Sequence, residues 1–189
     1  SIMKRKWTHM CIDDFFPAVE EFKSLVKNEP LYTAKEFDAL QGNTSTDTKD
    51  QSHYVGVRSS FLHDTNKKAF DFIIDTFQNK LAFFTGNLKY IDTHIHLRPK
   101  DSVDNPDWIH KDNYKGDDYT LLVYLSDTNL NSGTGLFDDN NNLITDFKFI
   151  KNRAIIFDTS YNHMSMLNYG NSVSDGRLTL NCFMKLLED

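Results

Sequence analysis

Residues 105–116 read NPDWIHKDNYKG and set a histidine two positions before an aspartate, His110 and Asp112. The chain holds seven histidines and twenty-two aspartates, so random placement supplies about 0.8 such pairs, and the pair alone carries no meaning. On a β-strand, however, residues i and i+2 face the same side. His110 and Asp112 would project together with Trp108, while Ile109 and Lys111 point away. Two ligands on one strand need a third from elsewhere, and His163 in FDTSYNHMSM follows an apolar strand and a polar turn that could re-aim the chain. Two histidines and one carboxylate, with open positions opposite, suit non-haem iron(II). Fourteen residues on, GRLTLNCF places Arg177 and Thr179 on one strand face, where a guanidinium can bond both oxygens of a carboxylate.

Each of these residues also has a plainer reading. His163 could cap a turn, Arg177 could form a structural ion pair with one of the many aspartates, and Thr179 could simply favour a strand. Trp108 fits a pocket wall or core packing equally well. THIHLRPKD holds a second spacing of interest, His94 and His96 with Asp101 beyond. It faintly resembles the first metal motif of cupins, but lacks the glutamate and flanking glycines expected there. The plainer expectation is two polar residues on a partly exposed strand. His9, His53 and His63 have no partner at ligand spacing and receive no role.

The elements that would position these residues follow from hydrophobic period. WTHMCI, 7–12, reads as a short strand. DDFFPAVEEFKSLVKN follows as a helix with Pro17 in its first turn and Val19, Phe22, Leu25 and Val26 on one apolar face. QGNTSTDTKDQS, 41–52, has no hydrophobic residue and reads as a mobile loop. A second helix is expected over 66–84, burying Phe70, Ile73, Ile74, Phe77 and Leu81. From residue 88 the period becomes two, in eight short runs: LKYIDTHIHL, DWIHKD, YTLLVYLSD, TGLFD, DFKFI, RAIIFD, HMSML and RLTLNCFMKLL. Turn chemistry in KGDD, NLNSG, DNNN, TSYN and NSVSDG separates them.

Eight short strands with regular turns point to an α+β, mainly β fold, a double-stranded β-helix (jelly roll) with two N-terminal helices packed on one sheet. The chain of 189 residues is expected to be one domain: 1–87 as a helical N-terminal support region and 88–187 as the jelly-roll core. A net charge of −6, with no basic run beyond MKRK, argues against nucleic acid or an anionic membrane as partner. Two isolated cysteines, Cys11 and Cys182, suit a reducing cytoplasm, and no apolar run approaches a membrane span. A soluble cytoplasmic protein is expected, and the oligomeric state is unread.

In this order, the pieces resemble the 2-oxoglutarate- and iron(II)-dependent dioxygenases, in their prolyl-4-hydroxylase-like branch. The resemblance runs over residues 88–187 and more loosely over IDDFFPAVEEF. WIHKDN is similar to the first metal-binding strand and YTLLVYLSD to the strand after it. NSGTGLFD is similar to the glycine-containing turn and strand, NRAIIFDTSYNHMSM to the segment with the distal histidine, and GRLTLNCFM to the closing strand with its arginine-x-serine/threonine signature. The resemblance implies that His110, Asp112 and His163 hold iron(II). It implies that Arg177 binds the distal carboxylate of the co-substrate 2-oxoglutarate, assisted by Thr179 and Tyr124. Thr120 and Leu122, four and two residues before Tyr124, should line the same pocket.

The implied activity is hydroxylation of an amino-acid or protein side chain with iron(II), 2-oxoglutarate and O2, yielding succinate. Asp112 favours hydroxylation over halogenation, since halogenating members of the family usually lack that carboxylate. The substrate would be a small molecule or a peptide or protein, with specificity carried by residues 41–60 and 98–107. Two rivals stand beside it: a non-catalytic jelly-roll binding protein, and a cupin-like metalloenzyme using His94 and His96.

Overall fold

A computed structural model describes residues 9–42, 54–82, 86–100, 108–112 and 116–188. Most of the expected 41–52 loop, the end of the second helix and most of the 98–107 segment lie outside them, as do His53 and Asp101. Among the described residues nine strands and four helices follow in chain order: β1 (His9–Ile12), α1 (Val19–Val26), α2 (Ala34–Leu40), β2 (Val57–Arg58), α3 (Leu62–Thr65), α4 (Lys67–Lys80), β3 (Leu88–Arg98), β4 (Tyr119–Tyr124), β5 (Asn129–Phe137), β6 (Leu143–Phe149), β7 (Ala154–Asp158), β8 (Asn162–Ser165) and β9 (Arg177–Leu186). They form a six-stranded sheet, β1-β7-β4-β9-β3-β2, and a three-stranded sheet, β6-β5-β8. All pairings are antiparallel. This is the mainly β jelly-roll architecture expected from the two-residue period.

Alternation along the strands of the larger sheet builds two cores. On β4, Leu121 and Val123 join the helices in a cluster with Phe22, Ile73 and Phe77, while Leu122 and Tyr124 face the smaller sheet with Leu136, Phe147 and Phe149. On β9 the division is chemical as well. Leu178, Leu180, Cys182, Met184 and Leu186 join the helix-side core, leaving Arg177, Thr179, Asn181 and Phe183 on the inner face. A one-residue slip would exchange the two sets, so burial of the leucine row fixes the register that presents the polar row.

The helices depart from expectation in detail. Pro17 precedes α1 rather than opening it, because the helix starts at Val19 with Ala18 as its cap. On α4 the buried stripe is Ala69, Ile73, Thr76 and Phe77, at helical spacing, so Phe70 and Ile74 are only partly buried. Asn66 caps α4 by accepting from Ala69 N, and its amide donates to Leu25 O at 2.8 Å, tying α4 to the end of α1. Two helices were not foreseen. α2 rests on a Thr33–Glu36 capping box, and α3 is a single turn. NLNSG, expected as a turn, is the first half of β5. The N-terminal third also supplies strands at both edges of the larger sheet, so it is more than a helical support. Among the described residues, no helix is long and apolar enough to cross a membrane.

Candidate metal centre

His110 and His163 face each other across an isolated bridge that extends the smaller sheet beyond β8. His110 N donates to His163 O at 3.0 Å and His163 N to His110 O at 2.8 Å. Their ring centroids lie 4.3 Å apart. Asp112, two residues along, puts Oδ1 3.6 Å from His110 Nε2 and Oδ2 3.0 Å from His163 Nε2. One ligand atom from each of the three lies within 4.8 Å of the others.

The surroundings prepare these atoms for a cation. His110 Nδ1 sits 2.8 Å from Trp108 O, so Nδ1 carries the proton and Nε2 keeps its lone pair. Burial, reinforced by the charge of His163, pushes His110 down to about 4, which leaves the imidazole neutral at pH 7. Burial alone would raise the Asp112 carboxyl. The charge and hydrogen bond of His163, with His110 and Arg58, instead hold it well below the usual carboxylate range. Thr120 Oγ1 donates to Asp112 Oδ2 at 3.2 Å. Two imidazoles and an ionised carboxylate, converging on one point, fit a divalent transition metal.

A narrow cleft, partly open to solvent, runs from this cluster between the sheets. Arg177, only 2% exposed, lines it. Its Nε donates to Ser132 O at 2.9 Å and its terminal nitrogen to Gly133 O at 3.3 Å. The rings of Phe149 and Tyr124 stand 5.4 and 5.9 Å from the guanidinium carbon. Leu122 and Thr179 also line the cleft. Thr179 Oγ1 donates to Asn181 Oδ1 at 2.6 Å, so its proton is engaged within the protein. Tyr124 stands behind the lining, its hydroxyl donating to Thr134 Oγ1 at 2.8 Å, and Thr134 reaches the cleft. Thr120 lies at the metal cluster, beside Asp112, rather than along the cleft beside Tyr124.

His94 and His96 are not on a partly exposed strand: they are 2% and 1% exposed. Both face inward because β3 is covered by β2 and β9 and its alternate residues, Ile95 and Leu97, face the helices. Burial, with nearby arginine charge, drives both well below the ordinary histidine value, so both are neutral. His96 donates from Nε2 to Val55 O at 2.5 Å, and its Nδ1 lies 3.3 Å from Asn181 Nδ2. Among the described residues, the group of three metal-ligating side chains is His110, Asp112 and His163, and neither His94 nor His96 belongs to it. Trp108 is 39% exposed, 5.3 Å from the His110 ring, and Lys111 turns away to Asp139. His9 packs between Phe147 and Tyr161, and His63 stacks on Phe61.

Sequence reasoning missed Asn181, Thr134, Arg58 and Arg98, which all line the cleft; His96, weighed there as a cupin-like ligand, lines it too. Asn181 was within reach, because it continues the Arg177–Thr179 alternation. Arg58 carried no signal, since β2 is two residues long and joins β3 from far along the chain.

No family model matches the chain, and no curated protein matches it. Solved structures do. A prolyl-4-hydroxylase from Pseudomonas putida is 12% identical with a TM-score of 0.57, over 97% of this chain and 95% of that one. A prolyl hydroxylase from Trichoplax adhaerens, in complex with a hypoxia inducible factor oxygen degradation domain peptide fragment, is 12% identical with a TM-score of 0.64, over 97% and 86%. HygX from Streptomyces hygroscopicus, with nickel and 2-oxoglutarate bound, is also 12% identical, at 0.60 over 97% and 85%. At such identity the likeness shows a shared fold, the jelly roll of prolyl-4-hydroxylase-like proteins.

Proposed function

We propose that this protein is an iron(II)- and 2-oxoglutarate-dependent oxygenase that hydroxylates an amino-acid side chain, free or within a protein. The observation that carries the reading is the meeting of His110, Asp112 and His163 within 4.8 Å, on a cleft that also buries Arg177. The solved relatives support it, two being prolyl hydroxylases and one holding nickel and 2-oxoglutarate. The peptide bound in one of them supports a peptide or protein substrate.

In the proposed reaction one oxygen atom of O2 enters a C–H bond of the substrate and the other enters succinate, as 2-oxoglutarate loses carbon dioxide. Bound iron(II), held by His110, Asp112 and His163, would supply the oxygen activation that this coupling requires. The rest falls to the chain. Asp112 contributes a negative charge fixed by Thr120, and His110 keeps Nε2 unprotonated through its bond to Trp108 O. Arg177 offers a planar cation for the far carboxylate of 2-oxoglutarate, held from behind by the Ser132 and Gly133 carbonyls. The buried Leu122, Phe149 and Tyr124 exclude water from the inner end, which strengthens that charge pairing.

Anaerobic titration of the iron(II) protein with 2-oxoglutarate tests this reading. A weak visible charge-transfer band is expected, followed by succinate release on admission of O2, and His163→Ala should abolish the band. A wild type that gives neither band nor succinate above background would make the protein a non-catalytic jelly roll.

A further inference from the structure

The two hydroxyls expected to assist Arg177 both spend their protons within the protein. Tyr124 donates to Thr134 Oγ1, and Thr179 donates to Asn181 Oδ1. The second of these bonds belongs to a longer relay. Asn181 Nδ2 lies 3.3 Å from His96 Nδ1, and His96 Nε2 lies 2.5 Å from Val55 O. His96, Thr179 and Asn181 all line the cleft with Arg177. Register brings them together: His96 on β3 pairs with Thr179 on β9, and Asn181 follows Thr179 on the same face.

The relay has one direction. A carbonyl only accepts, so the bond to Val55 O places the proton of His96 on Nε2. Burial keeps the ring neutral, which leaves Nδ1 as a bare acceptor. Asn181 must then turn Nδ2 toward His96, because the reverse orientation would set two lone pairs against each other. Its Oδ1 is thereby committed to the Thr179 hydroxyl, at 2.6 Å. Thr179 has one proton, and it is spent, so toward the cleft the hydroxyl can only accept. A turned Asn181 would do the opposite, donating to Thr179 Oγ1 and releasing that proton to the cleft.

The anchor of the relay lies far from β9 in the chain. Gly56 takes a φ of 77°, and a Cβ at that position would run into the Leu97 carbonyl, so only glycine lets this segment lie against β3. His96 clasps the segment through Val55 O, and His96 and Val55 are 1% and 2% exposed. Water has little access to replace that bond.

We propose that His96 is a positioning residue for the co-substrate. Held by Val55 O, it fixes the Asn181 amide and withholds the Thr179 proton, so that Arg177 takes the far carboxylate of 2-oxoglutarate without a donor from Thr179. The proposal rests on the oxygenase reading and concerns the same site.

Two measurements on the full chain test it. Nitrogen-15 NMR of the histidine rings in the zinc(II)-loaded protein, with His96 assigned by its loss in His96→Gln, should show that ring neutral and protonated at Nε2. Calorimetric titration of the nickel(II)-loaded protein with 2-oxoglutarate then compares variants. His96→Phe removes both ring bonds and lets Asn181 turn, so binding should tighten about tenfold through the released hydroxyl. Adding Thr179→Val to it should cancel the gain. His96→Gln can donate to Val55 O and accept from Asn181, and should bind like the wild type. Thr179→Val alone should not weaken binding.

A His96 protonated at Nδ1 overturns the proposal. So does a tenfold loss with Thr179→Val alone, which would make Thr179 a donor to the carboxylate in the wild type. A folded His96→Phe protein that binds no more tightly than the wild type overturns it as well and leaves His96 a packing residue. Should His96→Phe fail to fold, the tautomer and Thr179→Val decide the matter. Failure of the wild type to bind nickel(II) or 2-oxoglutarate overturns the oxygenase reading, and the co-substrate role with it, whatever the tautomer.

Discussion

Thr120 Oγ1 donates to the same Asp112 oxygen that lies 3.0 Å from His163 Nε2. A hydroxyl in that position orients the carboxylate without touching the proposed metal. Thr120→Val preserves shape and removes only the bond, so metal affinity should fall by about 10–100-fold, as for other partners of metal ligands. Isothermal titration with nickel(II) measures this, and an unchanged affinity would mean that the sheet alone sets the Asp112 rotamer. The two cysteines make a contrast at the same scale. Cys182 is fully buried in the helix-side core, where burial pushes its thiol far above the usual range, whereas Cys11 is exposed on edge strand β1. One thiol should react rapidly with a colorimetric disulfide reagent in the native protein and two in denaturant. Two fast thiols in the native state would contradict the packing around β9.

Among the elements, β5 does more than its sequence suggests. NLNSG reads as turn chemistry, yet it forms strand because β6 pairs with it on one side, with a shift of register between Asn129 and Thr134. Gly133 sits in that shift, and a Cβ there would meet the Phe147 carbonyl. The same stretch presents the Ser132 and Gly133 carbonyls to Arg177. Gly133→Ala should therefore destabilise the fold by about 1–3 kcal/mol and weaken 2-oxoglutarate binding together. Denaturant unfolding and co-substrate titration check the pair, and loss of stability with intact binding would separate β5 from the site. This element also marks what sequence could and could not reveal. Arg177–Thr179 were legible because strand alternation is local, and His163 because an apolar strand and a turn lead into it. His110 and Asp112 come together although DWIHKD, expected as a strand, forms only an isolated bridge at His110 among its described residues. Arg58, the His96 clasp and strand NLNSG depend on partners far along the chain, which no local period records. α2 was missed for another reason: its seven residues are too short for a period, although Thr33 and Glu36 spelled its cap.

Across the whole molecule, the larger sheet separates an apolar side from a chemical one. Its helix-facing residues form a core with α1 and α4, and its inner face carries the arginines of the cleft and His96, while His110 and His163 belong to the smaller sheet's side. The candidate ligands come from segments that meet only when both sheets are assembled: residues 110–112, β8 and, for the co-substrate, β9. An unfolded chain holds no such site, so any ligand that binds it stabilises the folded state by mass action. At one hundred times its dissociation constant, nickel(II) should contribute about 2.7 kcal/mol. For a domain of this length that corresponds to a rise in melting temperature of about 5–11 °C. 2-Oxoglutarate should add to the rise only when the metal is present, because it is expected to bind both the ion and Arg177. Scanning fluorimetry of the apo, metal-loaded and doubly loaded protein measures both steps, and chelation should reverse them. A melting temperature unmoved by the metal would mean that these three side chains meet for packing. A metal-independent shift with 2-oxoglutarate would place that ligand on the arginines alone.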